Sequence, residues 1–333
     1  MNSKKRITQL DGLRGFACLL IYFSHSDYLL TKCDAEILGK IVALFLMISG
    51  FSLSYVYDGR IENMSFTSFI KKRYFKIMPL YWFTDLACLV LGAVSVLVIG
   101  SGYIFDVNSN FTLRSVALEV LGINYVVGGV MPFNAPLWTI SYLIVCYIIF
   151  YALFKGLRKK ENAYLITIVL LIVFLFYKHS SWQILTFLVG MVIYEVYTRI
   201  SDKAGFWISL TSILTLLISV CGVIGNGELL PGFIGDWERE TSIIVAAMFL
   251  MAALYLKPIT VVLSTKPMIF LGKISMSIYM WQWVCLTIFE RSDFIGFRKT
   301  FVGMIISFAA TIIVSLISYY WVEPILQKIF GKY

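Results

Sequence analysis

Charge is what this chain has least of. Of its 333 residues 14% are Asp, Glu, Lys or Arg and 59% are hydrophobic, and the mean hydropathy is +0.84. Soluble domains hold about 45–50% apolar residues, so lipid has to supply most of the solvent here. Histidine is scarcer still: there are two in the whole chain, too few to expect a histidine-rich metal site, and no metal is expected. The six cysteines include no CxxC pair and lie mostly inside apolar runs. They read as small packing residues rather than as a disulfide or metal framework. Glycine-rich nucleotide loops, GxSxG and HExxH are all absent. The net charge of +9 does not point to nucleic acid, because the basic residues sit in short clusters between apolar runs and follow membrane topology instead.

What is there is a succession of apolar runs, at about 13–30, 37–57, 78–100, 137–155, 163–178, 180–198, 204–224, 241–256, 269–290 and 299–322. A spanning helix needs roughly 20 mainly apolar residues. The runs therefore predict an all-α, polytopic membrane protein of about ten transmembrane helices, forming one integral-membrane domain over residues 1–333 with no appended soluble domain. If both termini are cytoplasmic, the basic residues belong at the N-terminus, in the even-numbered loops and at the C-terminus. Lys4, Lys5, Arg6, Lys71, Lys72, Arg73, Lys76, Arg158, Lys159, Lys160, Lys203 and Lys332 follow that rule. The start "MNSKKRITQL" is basic like a signal peptide, yet "SHSD" breaks the apolar run behind it and no cleavage site follows, so an uncleaved first span is expected. The longest loop, 101–136, is expected outside the cytoplasm. Within it "TLRSVALEVLG" predicts a short amphipathic helix capped by Thr112.

The first run, "LDGLRGFACLLIYFSH", carries Asp11, Arg14 and His25. At 3.6 residues per turn Arg14 and His25 project within about 20° of each other, with Asp11 nearby, and they lie about 16 Å apart along the axis. Ionisable groups in lipid are costly and usually face a partner or a cavity. An imidazole away from water is neutral at physiological pH, which suits a general base acting on a hydroxyl. His179 lies at a helix–helix turn, where a structural role is favoured.

Further polar islands interrupt the apolar runs. "FIKKRYFKIMPLYW" sets Arg73 and Lys76 three apart, on one face, as a positive-inside signal or a phosphate clamp at the membrane surface. Ser49 and Gly50 in "FLMISGFSLSY" read first as helix packing. Trp138 and Ser141 lie in "APLWTIS", Gln282 in "YMWQW", and Glu323 before Pro324 in "YYWVEP". Asp85 and Glu195 are acids without an obvious partner nearby in sequence.

In order and wording these segments resemble the acyltransferase-3 family of integral-membrane acyltransferases, over nearly the whole chain. The similarity runs through "LDGLRGFACLLIYFSH", "FLMISGFSLSY", "KKRYFKIMPLYW", "APLWTIS", "FLVGMVIYE", "LGKISMSIYMWQW" and "YYWVEP". The resemblance implies a ten-helix core in the bacterial cytoplasmic membrane, an acyl-coenzyme A donor, most simply acetyl-coenzyme A, and a hydroxyl acceptor on a carbohydrate. It makes His25 the family's first-helix histidine and Arg14 its first-motif arginine. Arg73 and Lys76 fall on its paired-arginine element. Catalysis is then expected from His25 with Asp11, and donor binding from Arg14, Arg73 and Lys76. Ser49, Trp138, Ser141, Gln282 and Glu323 are expected in support. Three positions depart from the family pattern: Lys76 replaces the second arginine, Leu143 stands where a glutamate is frequent, and Gln282 stands where a histidine is frequent. The alternative class is a polysaccharide or lipid-linked sugar exporter, which would show matched repeat halves; none is seen in the sequence.

Overall fold

The computed structural model describes residues 6–30, 36–99, 112–157, 182–226, 238–291 and 296–330, and among them all regular structure is helical. The main helices are α1 (Thr8–Ser24), α2 (Asp27–Leu30), α3 (Glu36–Tyr57), α4 (Phe66–Ile99), α5 (Leu113–Val120), α6 (Trp138–Leu157) and α7 (Trp182–Arg199). They continue with α8 (Asp202–Asn226), α9 (Glu238–Tyr255), α10 (Lys257–Leu263), α11 (Lys266–Leu286), α12 (Phe301–Ile317) and α13 (Glu323–Phe330). Helices cover the expected apolar runs that fall on described residues, but α4 begins at Phe66, well before the expected 78, the first run breaks after Ser24, and α5, α10 and α13 match no run. The run 163–178 and His179 lie outside the described residues. Among the described residues four stretches are long and apolar enough to cross a bilayer: Phe66–Ser95, Ala135–Lys155, Lys266–Arg291 and Phe301–Phe330. A fifth candidate is the pair Ser242–Tyr255 and Lys257–Leu263, bent by 87° at its break.

The chain divides into two compact units. One comprises Met1–Ala17, Glu36–Asn63 and Ala152–Lys273; the other comprises Cys18–Ala35, Met64–Tyr151 and Ile274–Tyr333. In the first unit α3 crosses α7 through two glycines. A Cβ on Gly50 would lie 2.1 Å from the Phe187 carbonyl oxygen, and one on Gly190 would lie 2.1 Å from that of Met47. The backbones therefore touch, as small residues allow between membrane helices. The glycines of "DGLRG" act in the same way. Gly12 lies under the Leu263 carbonyl that ends α10, Gly15 lies against Leu271 and Gly272 of α11, and a Cβ on Gly272 would meet the Asp11 carbonyl at 2.0 Å. Ser49 donates only to the Phe45 carbonyl of its own helix, at 2.9 Å, a packing role.

In the second unit the stretch around α5 packs against α4. Thr112 caps α5 as expected: its hydroxyl accepts from the Ser115 amide and the Ser115 hydroxyl accepts from the Thr112 amide, a reciprocal capping box. The helix stops at Gly122, whose φ of +69° suits glycine. The Gly122 amide bonds the Glu119 carbonyl and the Ile123 amide bonds the Leu118 carbonyl, closing the helix end in a Schellman motif. The carbonyls left over accept from α4: Trp82 Nε1 donates to Val120 at 2.7 Å and the Tyr74 hydroxyl to Leu121 at 3.3 Å. The segment thus lies along α4 close to the basic cluster 71–76, beside the same stretch that meets the C-terminal helix through Trp82 and Phe330. Side-chain donors of α4 are thus satisfied by the open end of α5.

Gly190→Ala is expected to lower stability by about 1–3 kcal/mol, because its added carbon overpacks the α3–α7 contact. Ser49→Ala should change little. Thermal unfolding of the two purified variants in detergent checks the contrast.

Candidate functional site

In the first unit the polar residues of α1 form a chain of contacts. Arg6 Nε lies 2.6 Å from Asp11 Oδ2, Arg14 Nη1 lies 3.5 Å from Asp11 Oδ1, and Arg14 Nη2 donates to the Ser52 hydroxyl of α3 at 3.2 Å. Asp11 and Arg14 are brought together as their i, i+3 spacing on one helix allows. Asp11 is held between two arginines, an orienting arrangement for Arg14. Arg6 and Ser52 are partners that sequence reasoning missed.

His25 belongs to the second unit. The helix ends one residue before it, at Ser24, so the helical-wheel position is replaced by a turn in which the His25 amide bonds the Tyr22 carbonyl. The turn is fixed from several sides. Tyr22 shares a 2.6 Å hydrogen bond with Ser307 of α12, and Cys18 donates to the Ser275 carbonyl of α11. Directly after His25, the Ser26 hydroxyl and the Tyr28 amide both donate to Glu290, at 2.6 and 2.7 Å. Glu290 is fully buried and sits in the π-helical turn Thr287–Arg291 that ends α11. The next residue, Arg291, pairs with Asp27 at 3.0 Å and lays its guanidinium 4.2 Å from the centre of the Trp283 ring. The Trp283 ring in turn meets the His25 imidazole edge-on at 5.7 Å.

Sequence reasoning did not find Asp27, Trp283, Glu290 or Arg291. A signal was present: "HSD" interrupts the first apolar run and "FER" closes the ninth, so each sets an acid and a base against apolar surroundings. Gln282, buried without exposure, is brought beside His25.

Elsewhere in this unit Glu323 accepts from the Ser277 hydroxyl and lies within electrostatic reach of Lys76. Arg73 stands one turn before Lys76 on α4. Trp138 forms a ring cluster with Tyr125 and Tyr142, and the Ser141 hydroxyl donates to Asn124 Oδ1 at 3.2 Å. Asp85 accepts from the Asn134 amide at 2.9 Å and faces Glu119, which also accepts from the Tyr81 hydroxyl at 2.7 Å. Glu119 lies outside the candidate spans. Burial, and then the adjoining Asp85 charge, hold its carboxyl well above the usual carboxylate range, so it is the protonated member that donates to Asp85. In the first unit Glu195 has a partner after all, in Arg199 four residues on at 3.5 Å. Among the described residues no three His, Cys, Asp or Glu side chains gather as metal ligands would.

A family model described as an acyltransferase domain matches residues 7–320. No match is found among the curated proteins or among the solved structures.

A buried acid that keeps its proton costs stability once the unfolded chain can release that proton. Wild-type stability should therefore fall as pH rises from the ordinary glutamate range toward the raised value of Glu119. Glu119→Gln mimics the protonated acid, so its Tm should exceed that of the wild type at pH 8 and converge on it near pH 5. Glu290→Ala strands the Ser26 hydroxyl and the Tyr28 amide and should cost about 1–3 kcal/mol, with Glu290→Gln costing less. Thermal scans read both.

Proposed function

The chain belongs to the acyltransferase family whose model spans residues 7–320, and from that premise we propose that it transfers an acyl group, acetyl first, from acyl-coenzyme A to a hydroxyl of a cell-surface or secreted carbohydrate. The apolar helices and the family together describe a multi-pass membrane protein. Its proposed setting is the bacterial cytoplasmic membrane, as one integral-membrane domain of about ten spans with both termini in the cytoplasm.

The observation that carries the proposal is His25: an imidazole beside Trp283, in a turn held by Glu290 and Arg291, with one ring nitrogen sealed from solvent and unpartnered. In the proposed reaction the imidazole accepts the proton of the acceptor hydroxyl while the hydroxyl oxygen attacks the thioester carbonyl. The C–S bond then breaks, and the proton passes to the departing sulfur to give free coenzyme A and the ester. An acyl-imidazole route uses the same residue: the imidazole takes the acyl group as coenzyme A leaves, then yields it to the hydroxyl. Arg14, Arg73 and Lys76 supply positive charge for the phosphates of the donor. Asp11 orients Arg14, and Glu323 lies near Lys76.

Membranes holding the wild type, His25→Ala or Arg14→Ala are incubated with radiolabelled acetyl-coenzyme A and isolated envelope glycan. The wild type should label the glycan, His25→Ala should lose about 100-fold or more, as expected for a missing general base, and Arg14→Ala should raise the donor KM. Label transfer that survives His25→Ala would sink the histidine mechanism. Absence of coenzyme A turnover with any donor would favour a sugar exporter.

A further inference from the structure

Three polar atoms meet at His25 without being satisfied. Its Nδ1 is buried and has no hydrogen-bond partner, and neither Oε1 nor Nε2 of the fully buried Gln282 has one. The imidazole and the amide lie within interaction range of each other. Unpaired polar atoms so far from water are costly, so this pairing has a purpose beyond stability.

The charged groups around the imidazole are already engaged. Glu290 is taken by Ser26 and Tyr28, and Asp27 by Arg291. The Arg291 guanidinium lies over Trp283 and offers no acceptor. A histidine that removes a proton must carry its own hydrogen on the other ring nitrogen, and an acceptor at that nitrogen fixes the tautomer. Since Nδ1 is the sealed nitrogen, Nε2 is left to meet a substrate.

We propose that Gln282 is a positioning residue for His25: unpaired in the free protein, its Oε1 accepts the Nδ1 hydrogen once the acceptor is bound, which turns the Nε2 lone pair toward the reacting hydroxyl. A neutral amide does this without bringing a second charge into the apolar interior. Its NH2 group remains free to donate to a guest oxygen. The inference rests on the acyl-transfer reading above.

Two variants test it in the purified full-length protein, with labelled acetyl-coenzyme A as the donor. Gln282→Met keeps the length of the side chain and deletes both stranded atoms, so Tm should hold or rise while kcat falls about tenfold or more, with the donor KM within about twofold. Gln282→Glu keeps an acceptor oxygen at that place and should bring kcat back to within about threefold of the wild type. Gln282→Met with unchanged kcat, or with Tm and kcat falling together, overturns the positioning role. So does Gln282→Glu no more active than Gln282→Met. A wild type that transfers no label from any donor overturns the acyl-transfer reading itself, whatever the Tm values are.

Discussion

A polar group that this chain withdraws from water can find a partner only in another part of the same chain, because lipid offers neither donors nor acceptors. That constraint shapes each of the polar clusters. It ties the open carbonyl end of α5 to Tyr74 and Trp82. It leaves Glu119 with its proton, so that two facing carboxyls carry one charge instead of two. At the end of α1 it turns a buried glutamate into a fastener, with Glu290 receiving a hydroxyl and an amide from the turn that follows His25. The few polar atoms around the histidine that escape the rule are informative for the same reason.

The helices were largely legible in the sequence, because a bilayer or an apolar core demands long apolar runs and those runs are visible. Thr112 was legible as a cap, since its hydroxyl acts on an amide three residues away. The partnership of Asp11 with Arg14 was legible from their spacing on one helix. The departures concern contacts between segments far apart in the chain. Asp85 looks solitary until the fold returns Glu119 and Asn134 to it. Trp283, Glu290 and Arg291 belong to a different run from His25, and no periodicity links them. The position of α5 depends on which donors of α4 need acceptors, a three-dimensional matter that a hydropathy pattern does not record. The turn at His25 was missed for a local reason: an apolar run shows where a helix lies more sharply than where its last turn ends.

Glycine has two separate uses in this fold. At Gly122 it supplies a backbone conformation. At Gly12, Gly15, Gly50, Gly190 and Gly272 it supplies the absence of a side chain, which lets backbones touch. The motif "DGLRG" is accordingly half structure and half chemistry: its glycines seat the helix, and the acid and base between and beside them then face each other and Ser52.

The α3–α7 contact has a symmetry with consequences for how such a chain can change over time. Each glycine lies beneath a carbonyl belonging to the residue three places before the opposite glycine, Met47 before Gly50 and Phe187 before Gly190, so the crossing reads the same from either helix. A residue inserted within either interval would swing one glycine about 100° off the contact and drive a side chain into the opposing backbone. Lengthening either helix outside those intervals leaves the crossing untouched. Drift in length is thus confined to the helix ends, while four positions remain locked as a unit.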